Sequence, residues 1–247
     1  MDRLIYTAMT GAKHIMEQQA TVSHNLANAT TTGFRSQLDA FRAVPVLGEG
    51  LPTRAFVVDA TAGTDFTPGP IQNTGRDLDV AIQGKGWIAL QLENGTEAYT
   101  RNGSFKISDN GVLQTQSGIN VMGDGGPISI PPDVAVSVGK DGTVSAISTV
   151  GKAGSAITLG RIKLVNPPED AIVRGDDGLF RMRTGDAADA DANVAVIGGS
   201  LEGSNVSVVD AMVNMISLAR QFEMHMNLMK NAESNDSKAS QLMSLTG

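Results

Sequence analysis

The sequence predicts an α+β protein: N- and C-terminal coiled-coil-like helices packed together, an extended connector, and a mainly antiparallel β middle domain. Three observations carry this reading. Apolar residues recur at alternating spacings of three and four near both ends, turn dipeptides separate short alternating runs in the middle, and neither period is sustained from 34 to 76. The expected boundaries are 1–33 and 203–247 for a discontinuous helical assembly domain, 34–76 for the connector and 77–202 for a β-rich outer domain.

The first helix is predicted by Ile5, Ala8, Ala12, Ile15, Gln19, Val22, Leu26 and Ala29, a heptad seam with one polar member. Thr30-Thr31-Thr32-Gly33 should end it, because β-branched residues weaken a helix and glycine accepts the left-handed conformation common just past a helix end. Pro45, Pro52, Pro68 and Pro70 interrupt the connector. A long unpatterned stretch needs a reason, and contact with neighbouring subunits is one.

In the middle, Asn94-Gly95, Asn102-Gly103, Asn110-Gly111, Asp141-Gly142 and Asp177-Gly178 read as hairpin turns. The expected strands are 87–92, 105–108, 112–116, 134–138, 143–147, 157–165 and 179–183. The second helix is predicted by Val208, Met212, Met215, Ala219, Phe222, Met226 and Met229, with Ser204, Asn205 or Ser207 as its cap. Beyond Met229 its seam meets Glu233 and Asp236, and Ala239, Leu242 and Met243 resume an apolar face.

Composition narrows the function. A hydrophobic content of 41% in 247 residues supports a packed core, and 19 basic against 26 acidic residues, the basic ones scattered, make nucleic acid a poor partner. There is no cysteine, hence no disulfide or thiolate chemistry. No apolar run is long enough to span a membrane, and Met1-Asp2-Arg3-Leu4-Ile5-Tyr6 opens no cleavable secretory signal.

No motif demands catalysis, a cofactor or a metal. His14, His24 and His225 lack the spacing of a helical metal pair, and read as surface or interface residues. Gly84-Lys85-Gly86 lacks the third glycine of a dinucleotide fingerprint and reads as a strand-edge turn. Asp77, Asp79, Asp176 and Asp177 read as turn and edge charges. What does stand out is apolar surplus. Met9, Met16, Ile216 and Leu218 flank the seams, and methionines at 212, 215, 224, 226 and 229 crowd one helix. A lone helix pair leaves such flanks bare, whereas association with further helices covers them. A secreted β-domain binding module is the rival reading, in which the two helices pair only with each other.

Three stretches also resemble a known family. Asn25-Leu26-Ala27-Asn28-Ala29-Thr30-Thr31-Thr32-Gly33-Phe34-Arg35 is similar to the N-terminal signature of flagellar rod and hook axial proteins. Leu201-Glu202-Gly203-Ser204-Asn205-Val206, followed by Val209, Met212, Met215-Ile216, Arg220 and Phe222-Glu223, resembles their C-terminal motif. Residues 74–82, Gly84-Lys85-Gly86-Trp87 and Tyr99-Thr100-Arg101-Asn102-Gly103-Ser104-Phe105 resemble their β-domain signature. Ile5-Tyr6-Thr7-Ala8-Met9, residues 38–46, Trp87 and Asp176-Asp177-Gly178-Leu179-Phe180-Arg181 look more like the proximal than the distal rod.

The resemblance implies a hollow, torque-transmitting tube of stacked subunits, with terminal helices inside and β domains outside. It implies export through the flagellar type III apparatus without a cleaved signal, a place in the periplasm-spanning rod, and partners that are copies of the chain and neighbouring rod proteins. Seam and resemblance together nominate as assembly interface Ile5, Ile15, Val22, Asn25, Leu26, Asn28, Gly33, Phe34, Asn205, Val209, Met212, Met215, Ile216, Phe222, Met226 and Met229.

Overall fold

A computed structural model describes residues 2–45, 55–148 and 156–245. The chain divides into two compact units, one of Met1–Ala29, Ser36–Asp65 and Val206–Gly247, the other of Thr30–Arg35 and Phe66–Asn205. The first unit holds α1 (Asp2–Ala27), a hairpin of β1 (Gln37–Pro45) and β2 (Ala55–Thr64), and α2 (Val208–Leu245).

α1 packs against both α2 and the hairpin. Every expected seam position on α1, from Ile5 to Leu26, is buried or half-buried, as is Ala29 just past its end, while Met9 and Met16 are exposed. On α2 the covered residues between 207 and 238 are Ala211, Met215, Leu218, Phe222, His225, Met229 and Ala232, an unbroken alternation of four and three. This seam is rotated from the expected one. Met215, Phe222 and Met229 belong to both, but Val208, Met212, Ala219 and Met226 face outward, and Leu218 is buried rather than a bare flank. α2 is apolar on two adjacent rows, so period alone does not select the row that meets α1. The selected row has alanine at each end, which lets two helices approach closely. Glu233 and Asp236 stay exposed, so the helix continues past them. The resumed apolar face at Ala239, Leu242 and Met243 lies outside the residues whose side chains are described.

Part of the stretch expected as an extended connector pairs with itself. β1 and β2 form an antiparallel ladder from Gln37↔Thr64 to Pro45↔Ala55, with a register shift between Ala40 and Phe41. That bulge breaks the alternation by which a strand is recognised, and the prolines fall at or beyond the strand ends. Residues 46–54, with Pro52, lie outside the described residues. Asn25 of α1 completes the arrangement by imitating a strand neighbour: its Oδ1 accepts from the Gln37 N–H at 2.8 Å and its Nδ2 donates to the Gln37 carbonyl at 2.9 Å. One turn earlier, the Thr21 hydroxyl donates to Asp39 at 3.0 Å.

The second unit is antiparallel β throughout its named ladders. In chain order its strands are β3 (Ile71–Asn73), β4 (Val80–Gln83), β5 (Trp87–Gln91), β6 (Glu97–Thr100), β7 (Phe105–Ile107), β8 (Leu113–Thr115), β9 (Asn120–Gly123), β10 (Gly126–Pro127), β11 (Val134–Val138), β12 (Thr143–Ser148), β13 (Ile157–Arg161), β14 (Leu164–Val165), β15 (Ile172–Arg174), β16 (Phe180–Met182), β17 (Ala195–Gly198) and β18 (Ser200–Glu202). The main sheet runs β15-β16-β6-β5-β9-β8-β7, with β10 on β9 and β14 on β5; β11-β12-β13, β17-β4 and β18-β3 form smaller sheets.

β5 is buried on both faces. Ile88 and Leu90 join the larger core with Val80, Phe105, Val121 and Ile162, whereas Trp87 and Ala89 join a second core with Tyr99, Val165 and Phe180. A strand covered on both sides reads as a continuous apolar run, which Trp87-Ile88-Ala89-Leu90 is. Burial raises the Tyr99 phenol above its usual range, and its oxygen accepts from the Ala188 N–H at 2.7 Å.

Gly95, Gly111, Gly142 and Gly178 adopt the positive φ expected of hairpin turns, but Asn102-Gly103 does not make one. β6 and β7, which it joins, are not partners, and Gly103 is needed for closeness: a Cβ there would lie 1.7 Å from the Val80 carbonyl oxygen. The expected strand 157–165 is interrupted, because Ile162 and Lys163 leave β13 before β14 joins β5.

One buried carboxylate ties this unit's chain ends together. Glu202 Oε1 accepts from Arg35 Nη2 at 2.6 Å and from the Gly69 N–H at 2.9 Å, and Oε2 accepts from Arg101 Nη1 at 2.9 Å. The Glu202 carbonyl also accepts from the Gly33 N–H at 2.7 Å. Nearby, Asn205 donates through its backbone to the Phe34 carbonyl at 3.4 Å and through Nδ2 to the Thr67 carbonyl at 3.1 Å. The chain passes between units after Ala29, Arg35, Asp65 and Asn205, and the second unit binds all these crossings into this one cluster.

Arg35 and Glu202 are each 1% exposed and Arg101 4%. Two guanidinium groups on one carboxylate leave a net positive charge in the interior. Burial lowers the Arg101 pKa, Glu202 opposes the shift and Arg35 adds to it. Such a cluster adds little net stability while intact, but loss of one partner from a buried pair costs about 3–5 kcal/mol.

Gly33 enters the cluster at φ +68, beyond the expected C-terminal turn, since α1 stops at Ala27. A Cβ there would lie 2.4 Å from the Arg101 carbonyl carbon and the Asn102 nitrogen. Its role is therefore inside the β unit.

Two outcomes are expected. Glu202→Gln should lower the stability of the β unit by about 3 kcal/mol or more, measured by denaturant unfolding followed through Trp87, the single tryptophan; a loss below about 1 kcal/mol would contradict the clamp. Gly33→Ala should destabilise the same unit more than Gly75→Ala. Both sites have φ +68, so both incur the left-handed penalty of about 1–2 kcal/mol, but no atom lies within 4 Å of a Cβ on Gly75.

Candidate assembly surface

α2 offers two faces because its sequence carries two apolar rows. The inner one is closed against α1. The outer one, with Val209, Met212, Val213 and Ile216 in its first three turns, is exposed: 71% at Val209 and 57% at Ile216. Met224, Met226 and Leu228 extend the exposed apolar surface further along the helix. Scattered exposed apolar residues are normal, but a contiguous helical row of them marks an interaction surface.

The nominated interface residues fall into three groups. Val209, Met212, Ile216 and Met226 are exposed on α2. Ile5, Ile15, Val22, Leu26, Met215, Phe222 and Met229 are buried or half-buried within the helical unit. The rest have partners within the chain: Asn25 on Gln37, Asn28 Nδ2 on the His24 carbonyl at 2.9 Å, and Gly33, Phe34 and Asn205 in or beside the Glu202 cluster. Phe34 is buried, with the Arg174 guanidinium 4.6 Å from its ring centroid.

Sequence reasoning did not nominate Arg35, Arg101 or Glu202, although each stands in one of the three quoted signatures. The available signal was chemical: a charged residue within two positions of a glycine in a turn-rich motif, as Arg35 follows Gly33, Arg101 precedes Gly103 and Glu202 precedes Gly203. Other polar residues read as turn charges hold turns here. Asp177 accepts from the Leu179 N–H and from Arg181, whose hydrogen bonds depress the carboxyl's pKa. Asp79 is held by Thr74 at 2.7 Å and Arg76 at 3.5 Å.

Among the described residues, two of the concavities have the size of ligand sites. A groove of 380 Å³ between α1, β1 and α2 is lined mainly by amides and hydroxyls, among them Gln18, Thr21, Asn25, Asn214 and Gln221. A cleft of 570 Å³ in the β unit is walled by Phe66, Trp87, Pro167 and Pro168, and its rim pair Lys85–Glu169 is closed at 2.9 Å. Neither brings together a nucleophile, base and orienting group. Among the described residues no three metal-ligating side chains gather, and no helix is long and apolar enough to cross a membrane.

Comparison with known proteins accounts for the signatures. Residues 5–35 match the family model described as flagella basal body rod protein, 81–146 the flagellar hook protein FlgE/F/G D1 domain, and 197–242 the flagellar basal body rod FlgEFG protein C-terminal. The flagellar basal-body rod protein FlgF of Escherichia coli K12 is 45% identical, and that of Salmonella typhimurium 44%, each alignment covering 100% of both chains. The rod protein FlgG of Bacillus subtilis is 29% identical over 94% of this chain and 96% of its own. With signatures and full-length identity in agreement, the chain belongs to the FlgF family of flagellar basal-body rod proteins, structural subunits of the rod.

Proposed function

We propose that this rod subunit assembles through the outer face of α2, stacking against copies of itself and neighbouring axial proteins to build the proximal section of a hollow shaft that transmits torque. The observation that carries the reading is the uncovered row of Val209, Met212, Val213 and Ile216 beside a seam already closed by α1. A secreted β-domain module with self-contained helices has no use for a second apolar row.

Burial of each such side chain is worth about 1.5–3 kcal/mol, against about 0.5–1.5 kcal/mol for immobilising it. Several residues per contact, repeated along a tube, therefore give firm association without a chemical step. Torque then passes by packing and shear resistance. The terminal helices would line the tube and the β unit would face outward, as the family resemblance implies. Export through the flagellar type III apparatus without a cleaved signal belongs to the same reading and rests on that resemblance.

A charge on the outer face separates assembly from folding. Ile216→Glu should abolish swimming and incorporation into basal bodies, while the purified chain keeps the Trp87 fluorescence and unfolding midpoint of the parent. Normal motility in the substituted strain would overturn the proposal.

A further inference from the structure

Two features of the β unit point outward rather than into its core. The first is Lys85, set between two glycines of positive φ, +84 at Gly84 and +131 at Gly86, at the apex of a turn that few other sequences could make. Its ammonium stands at the rim of the 570 Å³ cleft, 2.9 Å from Glu169 Oε1, with both side chains mostly in solvent. Arg101 also lines this cleft. Its Nη1 donates to Glu202 and its Nη2 to the Gly84 carbonyl, while its buried Nε has no hydrogen-bond partner among the described residues. Arg35 shares the same Glu202, so one positive charge stays uncompensated close to Trp87.

The second feature is a corner. Pro131, Pro132 and Asp133 are all exposed, and Asp133, at φ 60, is the one non-glycine residue of positive φ among the described residues. The corner is firmly mounted. Two prolines fix its backbone, Ile128 and Ile130 before it are buried, and the Ile130 N–H donates to the Gly111 carbonyl at 2.6 Å. A preformed corner loses little conformational freedom on docking.

We infer that the Pro131-Pro132-Asp133 corner of one copy seats in this cleft on the next copy, its carboxylate taking Lys85 from Glu169 and its prolines lying against Trp87, Pro167 and Pro168. The ion pair within the chain shows that a carboxylate fits on Lys85. Being exposed, that pair is weak and exchanges readily, and the surplus charge of Arg35 and Arg101 favours a further acid. Asp170, at the same rim, opposes the exchange. The contact is therefore weak between free chains and counts once neighbours are held together, where the effective concentration is high. Corner and cleft are different patches, so the contact runs head to tail and extends without closing. Its role rests on the proposed assembly reading, but every residue in it belongs to the β unit and none to α2.

The test titrates the full-length chain with a capped peptide of residues 129–135 and follows Trp87, the single tryptophan. Its emission should change saturably. Asp133→Asn in the peptide should weaken binding about tenfold, through loss of a bond between charged groups. Glu169→Gln in the protein should tighten binding about two- to fivefold, because the competitor for Lys85 is gone, and Lys85→Glu should abolish it. No saturable binding, equal binding of the two peptides, or weaker binding to Glu169→Gln would each overturn the inference. In basal bodies, cysteines replacing both Asp133 and Glu169 in this cysteine-free chain should link copies on oxidation, and either one alone should not. Basal bodies that contain the double variant but no linked copies would overturn it as well. Failure of these tests while Ile216→Glu still abolishes swimming faults the corner and leaves the α2 face standing.

Discussion

Glu202 is the residue on which the remaining arrangement depends. One carboxylate receives a guanidinium from the segment just after α1, another from the loop after β6, and a backbone N–H from the segment after the hairpin. Its own main chain holds Gly33. A chain that crosses the boundary of its β unit four times needs a point where the crossings are fixed, or each would move independently. A buried ion cluster suits this because it is intolerant of partial occupancy: with the acid gone, two desolvated cations face one another.

The same cluster explains why the family signatures are spread across the chain. Thr-Thr-Gly-Phe-Arg at 31–35, Thr-Arg-Asn-Gly at 100–103 and Leu-Glu-Gly-Ser-Asn at 201–205 lie far apart in sequence but meet at Glu202. Arg101 continues the chain of contacts, donating to the Gly84 carbonyl at 2.6 Å and lying 5.5 Å from the Trp87 ring centroid. The Gly84-Lys85-Gly86-Trp87 stretch, read from sequence as a strand-edge turn, therefore also braces the clamp.

What was legible in the sequence was periodic. Both helices, their mutual packing and the antiparallel β middle follow from spacings of three and four and from Asn-Gly and Asp-Gly turns. What was not legible depends on which of several equivalent options the tertiary structure selects. The α2 seam passes through Ala211, Leu218 and His225 rather than Met212, Ala219 and Met226, a choice made by close approach to small residues on α1. The β1–β2 hairpin was hidden by a bulge at Ala40/Phe41. Gly103 looks like a turn glycine but is required by contact with Val80. The assembly residues divide in the same way, since periodicity marks apolar rows and only packing tells which row is left over.

On the proposed mode of assembly, α2 has an inner row committed to its own α1 and an outer row left for neighbours. The most direct measurement is a cryo-electron microscopy map of the assembled basal body, resolved well enough to place the side chains of this subunit. Val209, Val213 and Ile216 should be buried against other subunits, with Leu218 and His225 still against α1 of the same chain. Finding the outer row open to solvent in the assembled rod, or the inner row exchanged onto a neighbour, would contradict it.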